Sequence, residues 1–115
     1  MNFSVNELYN AVVIKLKGNV MGGPAGAKLH DTLHELKKSG KLNIIVDLAR
    51  VKFMNSSGLG LLISAMTTMR NAGGDLRLAN AADRIQSLLI VTKLITIFEH
   101  FDSVDAAAAS YKAEE

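Results

Sequence analysis

The stretch from Asn43 to Leu62, NIIVDLARVKFMNSSGLGLL, restricts the fold more than any other part of the chain. It opens with an apolar run at residues 44–46 that is closed by Asp47 and Leu48, and such a run is typical of a strand buried on both faces. Further along, apolar residues recur at the i, i+3, i+4 and i+7 spacing of one helix face: Leu59, Leu62, Ile63 and Met66. The stretch therefore predicts a buried strand, a polar turn and a helix.

The turn carries two adjacent hydroxyls, Ser56 and Ser57, between Asn55 and Gly58. A helix N-terminus has unpaired N–H groups and the positive end of the helix dipole. Two interpretations follow. The serines can cap the helix, which the spacing alone favours because Ser and Asn are common N-cap residues. The same groups can also hold a phosphate.

The rest of the chain predicts an α/β domain with a small mixed sheet of about four to five strands, the later ones largely parallel, and helices packed around it. Residues 7–10 predict a hairpin turn between two antiparallel strands, of which the second alternates apolar residues with a wetter face. A helix is predicted to begin at Pro24, and Gly40 to follow its end. The buried side of this helix is predicted to carry Leu29, Leu33 and Leu36.

After a helix from about residue 57 to residue 71, residues 75–79 predict a short strand. Asn80 is predicted to cap the next helix, with Asp83 in its first turn. The inner face of that helix is predicted to carry Ile85, Leu88, Leu89 and Thr92. Residues 97–101 predict a last strand, and Asp102 or Ser103 is predicted to cap a closing helix that ends near Tyr111. Residues 112–115 are predicted to fray.

Length and composition exclude several classes of protein. With 115 residues the chain is expected to be one domain, 1–115. It has no cysteine, so disulfides and thiolate sites are excluded, and a cytoplasmic location is expected. No apolar run approaches the roughly 18 residues that span a bilayer, so no membrane insertion is expected. The net charge is +2 and the basic residues are scattered, so no nucleic-acid partner is expected.

Catalytic and metal sites are not expected either. A serine nucleophile elbow needs a glycine two residues before the serine, but Met54 precedes Ser56 and Asn55 precedes Ser57 at that distance. His30 and His34 share a helix face, yet no third ligand can be identified, so a solvated helix face is predicted and no metal. No cofactor is predicted, because no phosphate loop with a lysine is present.

The order of these motifs resembles the STAS domain of bacterial anti-sigma-factor antagonists over nearly the whole chain. The resemblance rests on Asp47-Leu48, Phe53-Met54, Ser56-Ser57-Gly58-Leu59-Gly60 and Gly73-Gly74-Asp75-Leu76. It implies that the chain is not an enzyme but a regulator that is phosphorylated at Ser56. The residues expected to bind the partner are Met54, Asn55, Ser57, Gly58, Leu59, Gly60, Leu61, Gly22 and Gly23.

The resemblance also implies particular partners. One is an anti-sigma factor that is a serine kinase of the histidine-kinase-like ATPase class, bound by the unphosphorylated antagonist so that a sigma factor is released. Another is a serine phosphatase that restores binding after phosphorylation, and a weak homodimer is a further expectation. The alternative is an unphosphorylated STAS docking subunit of a transporter or signalling assembly. The chain departs from the family pattern at Asn55, where the family usually has Asp, and at Asn19 and Met21, where it usually has carboxylates.

Overall fold

The computed structural model describes residues 1–112, and this part of the chain forms five strands and four α-helices. In chain order the elements are β1 (Asn2–Glu7), β2 (Val12–Lys17), α1 (Pro24–Lys38), β3 (Asn43–Arg50), α2 (Ser56–Asn71), β4 (Asp75–Ala79), α3 (Asp83–Val91), a 3-10 turn (Leu94–Thr96), β5 (His100–Phe101) and α4 (Val104–Lys112). Of the segment predicted to fray, Lys112 is the last residue of α4, and the remainder lies outside the described residues.

The strands form one sheet in the order β1-β2-β3-β4-β5. β1 pairs antiparallel with β2 and lies at the sheet edge, while the other three pairings are parallel. The hairpin turn is closed by a hydrogen bond from the N–H of Leu8 to the carbonyl of Ala11, at 2.8 Å. The predicted fold class, a small mixed sheet with helices around it, is confirmed.

The helices cover both faces of the sheet unequally. α1, α2 and α3 pack on one face, where the core includes Leu29, Leu62 and Leu89. α4 covers part of the other face, against Val13 and Ile45. The prediction that the Val13 side of β2 is wet is therefore wrong at this position, because α4 buries it.

An ionic cluster that sequence reasoning missed attaches α4 to the sheet. Arg77 lies on the α4 side of β4 and is only 3% exposed. Its Nε is 3.2 Å from Asp75 and 3.3 Å from Glu99, and its guanidinium lies 4.0 Å from the centre of the Tyr111 ring. The Tyr111 hydroxyl donates to the carbonyl of Ile44 at 2.7 Å. A buried cation is tolerated here because carboxylates and an aromatic face surround it.

The predicted cap at Asn80 is wrong. α3 begins at Asp83 after Ala82, and no side chain caps it. Asn80 has φ +61°, and its side-chain amide donates to Oδ1 of the buried Asp47 at 3.0 Å. Oδ1 of Asp47 also accepts from the N–H of Ala49. Asn80 thus connects the ends of β3 and β4 instead of starting a helix.

Two further predictions for this region need correction. Ile85 and Leu89 lie inside as expected, but Thr92 is exposed and its hydroxyl donates to the carbonyl of Leu88. The last strand contains only His100 and Phe101, because residues 94–96 form the 3-10 turn. α4 does begin as predicted, with Ser103 accepting a hydrogen bond from the N–H of Ala106 at 3.0 Å.

His100 gives a testable pH dependence of stability. Its Nε2 accepts the N–H of Ala81 at 3.0 Å. Burial lowers the pKa of His100 from its usual 6.5, and the charge of Asp102 opposes this only in part. His100 therefore binds a proton at higher pH in the unfolded chain than in the folded protein. The contribution of His100 to stability is therefore complete above about pH 6.5 and falls as the pH drops towards the folded pKa.

We expect the wild type to lose more unfolding free energy than His100→Gln between about pH 7.5 and pH 5.5, measured by urea denaturation. Glutamine keeps an acceptor for Ala81 but cannot be protonated. Equal losses in the wild type and His100→Gln would contradict the prediction.

Candidate functional site

The polar turn lies where β3 has ended and α2 begins. Asn55, not a serine, is the N-cap of α2: it has φ −100° and ψ −175°, and its Oδ1 accepts the N–H of Gly58 at 2.8 Å. Its carbonyl accepts the N–H of Leu59 at 2.9 Å. The interpretation of Ser56 and Ser57 as caps is therefore wrong, since Asn55 already fills that role.

Ser56 and Ser57 are the first two residues of α2, and both are exposed. Within the described part of the chain, neither hydroxyl has a hydrogen-bond partner. Their backbone N–H groups belong to the first turn, which has no intrahelical acceptors. The hydroxyls thus stand at the positive end of the helix dipole and are free to react or to contact a partner.

The loop between β2 and α1 runs beside this turn. Val20 donates its N–H to the carbonyl of Phe53 at 2.9 Å, and its own carbonyl accepts the N–H of Asn55 at 3.3 Å. Gly22, with φ +82°, lies so close that a Cβ built on it would be 3.2 Å from the Cβ of Ser57. The two segments predicted to bind the partner therefore meet in space, although they are far apart in sequence.

The predicted partner-binding residues divide by burial. Ser57, Gly60 and Gly23 are exposed, and Asn55 and Gly22 are half-buried. Three of the predicted contact residues are buried: Met54 at 3% exposure, Leu59 at 7%, and Gly58.

Burial corrects two expectations for apolar contact. Met54 packs in the core and cannot offer surface to a partner without a rearrangement, as is also true of Leu59. Leu61 does not face away from the protein interior: it is half-buried, and a Cβ built on Gly26 of α1 would be 3.3 Å from its Cδ1. Leu61 therefore lies in the contact between α1 and α2.

An apolar groove beside the turn was missed by sequence reasoning. It has a volume of about 290 Å³ and is lined by Phe53, Met54, Arg84, Ile85, Ser87, Leu88 and Val91. Phe53 is 42% exposed and Val91 80%, which is high for side chains of this type. The signal in the sequence was the unbroken apolar run from Leu88 to Val91, which is too wide for one buried helix face.

A family profile for the STAS domain matches residues 2–107 of the chain. The chain belongs to the STAS domain family. The match covers the strand, the serine turn and the following helix, and it agrees with the expected resemblance to anti-sigma-factor antagonists. Those STAS proteins are regulators without enzymatic activity, in agreement with the prediction that the chain is not an enzyme.

Relatives in sequence bear the names of such antagonists. A Bordetella bronchiseptica protein with the provisional name anti-sigma factor antagonist BtrV is 22% identical over 112 residues, which are 97% of this chain and 96% of that protein. The anti-sigma-B factor antagonist of Staphylococcus aureus is 30% identical over 67 residues, 58% of this chain and 62% of that protein.

Solved STAS structures share the fold. The antagonist SpoIIAA in its unphosphorylated form has a TM-score of 0.71 at 22% identity, over 95% of this chain and 96% of that chain. SpoIIAA of Bacillus has also been solved in its phosphorylated form, with a TM-score of 0.73, 22% identity and coverage of 95% and 98%. A sulfate transporter family protein of Wolinella succinogenes has a TM-score of 0.71 at 20% identity, over 88% of this chain and 84% of that chain. At these identities the likeness concerns the fold alone.

Among residues 1–112, no helix is long and apolar enough to cross a membrane. No group of three or more His, Cys, Asp or Glu side chains is arranged to hold a metal ion in this part of the chain.

Proposed function

We propose that this STAS protein is an anti-sigma-factor antagonist that phosphorylation at Ser56 switches off. The observation that carries the proposal is that Asn55, and not a serine, caps α2. The exposed Ser56 hydroxyl is therefore not needed for the fold. A serine that contributes no hydrogen bond to the fold can be modified without unfolding the domain.

The position of Ser56 suits a phosphate. A phosphoserine carries nearly two negative charges and three acceptor oxygens, and the N–H groups and dipole of a helix N-terminus attract such a group. Ser57 lies in the same helical turn, but its Cβ lies against Gly22. The β2–α1 loop therefore restricts the access of a kinase to Ser57 from that side. We therefore assign the acceptor role to Ser56, the exposed first residue of α2.

The partner that we propose is a serine kinase of the histidine-kinase-like ATPase class that also acts as the anti-sigma factor. The unphosphorylated turn would dock on it together with exposed parts of Gly23, Gly60 and Phe53. A phosphate buried in that interface without a cationic partner would be strongly penalised, so the complex would dissociate. A serine phosphatase would then restore binding. We expect these reactions, and therefore the protein, in the cytoplasm.

Asn55 fits this function although the family usually has Asp there. The contact that shapes the turn uses the side-chain Oδ1 as an acceptor for Gly58, and Asp and Asn supply this oxygen equally. Asn55 lacks the negative charge, so a kinase that acts on this protein has to recognise the turn without a carboxylate at this position.

The test is the intact mass of the protein from its own cells, with and without phosphatase treatment, followed by peptide mapping of residues 51–70. We expect one phosphate, on Ser56, that disappears in Ser56→Ala and persists in Ser57→Ala. Absence of phosphate under both growth and stress conditions would contradict the proposal.

The second candidate is a docking subunit that is never phosphorylated. A sulfate transporter family protein has the same fold, so the fold is compatible with this second role. In that case the glycines allow close approach of the partner, and the serines have no chemical role. Genes for a kinase and a phosphatase beside the gene for this protein would favour the switch, and transporter genes would favour the subunit. A weak homodimer fits either candidate and would be detected by sedimentation.

A further inference from the structure

Two histidines on α1 form a pair that the proposed function does not use. His30 and His34 are one helical turn apart, His30 exposed and His34 half-buried. Their Nε2 atoms are 2.9 Å apart, and their ring centres are 4.4 Å apart with the planes at 70°. The two nitrogens therefore form a hydrogen bond at the helix surface, in which one ring donates its N–H and the other accepts.

Neither ring has another partner among residues 1–112. No other hydrogen bond, ion pair or ring contact involves His30 or His34 there. The two imidazoles thus keep their ligating atoms together and open to solvent. A neutral imidazole nitrogen is a common metal ligand, and the i, i+4 spacing holds two of them on one helix face.

The distance between the nitrogens selects the kind of ion. With metal–nitrogen bonds of about 2.0–2.1 Å, two ligands at 90° have their nitrogens about 2.9 Å apart, whereas a tetrahedral angle separates them by about 3.3 Å. The hydrogen bond already holds the two nitrogens 2.9 Å apart, so an ion with ligands at 90° can replace the shared proton with little movement of either ring, and that proton passes to Nδ1 of the same ring or to water. We propose that His30 and His34 form a two-ligand site for a divalent ion of the Ni²⁺ or Cu²⁺ type, with water in the remaining positions.

The site would act on the stability of α1. A helical α1 presents both nitrogens at once, whereas the unfolded chain presents them at varying distances. An ion that binds the folded state more tightly stabilises it, by an amount that grows with ion concentration.

The experiment is a titration of the full chain with nickel chloride at about pH 7.5, followed by calorimetry and by thermal unfolding monitored with circular dichroism. We expect one Ni²⁺ per chain and a rise in Tm. His30→Gln and His34→Gln should each weaken binding at least about tenfold, because one imidazole loses the effective concentration that the second provides. In both variants the rise in Tm should disappear.

Asp31→Asn is the matched control, because Asp31 is exposed beside His30 and lies outside the pair. It should bind Ni²⁺ as the wild type does. All variants change exposed or half-exposed side chains, so their Tm without metal should stay near the wild-type value, which separates loss of binding from loss of the fold. No rise in Tm of the wild type, or the same rise in the double variant His30→Gln/His34→Gln, would overturn the proposal.

Discussion

Gly58→Ala is expected to destabilise the domain by about 3 kcal/mol, the upper end of the usual cost of overpacking. A Cβ built on Gly58 would lie 1.9 Å from the carbonyl oxygen of Val20 and 2.9 Å from Cγ of Met54. The side chain of Met54 can adjust, but the Val20 carbonyl accepts the N–H of Asn55 and belongs to the backbone of the β2–α1 loop. Either that loop or the start of α2 has to move. Urea denaturation measures the loss.

Gly60→Ala is the matched control on the same helix. Gly60 is exposed, and a Cβ built on it would meet no heavy atom within 4 Å. Alanine should therefore stabilise the domain, by up to about 1 kcal/mol, because it favours helix over glycine. The pair separates the effect of contact with Val20 from the effect of helix propensity. A Gly58→Ala variant as stable as the wild type would show that Gly58 and Val20 are not in contact.

Ser56→Asp is expected to abolish docking of the proposed kinase partner while leaving the fold intact. A carboxylate at the start of α2 imitates part of the phosphate charge and should change stability by less than about 1 kcal/mol, in the stabilising direction. An uncompensated charge inside an interface typically costs 2–5 kcal/mol, so we expect binding to weaken about a hundredfold. The partner recovered with the wild type from its own cells serves as the probe, by calorimetry or surface plasmon resonance.

Ser64→Asp is the control for the charge itself. Ser64 is exposed on the same helix but lies two turns beyond the serine turn. It should bind the partner within about threefold of the wild type, since an exposed charge outside an interface is well solvated. If Ser56→Asp also binds normally, the partner does not cover Ser56. If Ser56 also carries no phosphate in the cells, the docking subunit becomes the better description.

The main architecture was predictable because each of its elements has a local cause. The buried strand before the serine turn shows as an unbroken apolar run, and Pro24 and Gly40 mark the two ends of α1. The spacing of the apolar residues from Leu59 onward predicted which face of α2 is buried. These signals depend on residues that are close in sequence, so no knowledge of the tertiary structure was needed.

The errors arose where the same residue type serves two conformations. Asn is favoured both as a helix cap and at positive φ, and only the partner of Asn80, the buried Asp47 on a neighbouring strand, decides between them. Residues 97 and 98, Ile and Phe, have a strand-like composition, but they follow the 3-10 turn and Phe98 fills the core. Such outcomes depend on contacts between distant parts of the chain.

The candidate site was predictable in its position but not in its roles. The sequence placed two serines at a helix start, yet it could not show that Asn55 caps the helix. The sequence shows Gly58 as part of a motif. The reason that a glycine is needed there is the Val20 carbonyl, which belongs to another loop and leaves no room for a Cβ. Phe53 is exposed and Met54 lies in the core although they are neighbours in sequence, and this difference likewise depends on tertiary packing.

The backbone bridge between Val20 and Met54 has a consequence for the entropy of association. Because the β2–α1 loop and the serine turn are hydrogen-bonded to each other before any partner arrives, they form one ordered strip of main chain. A complex on this strip would not have to restrict two independent loops, which lowers the conformational cost of binding. A modest contact area would then be enough for a specific complex.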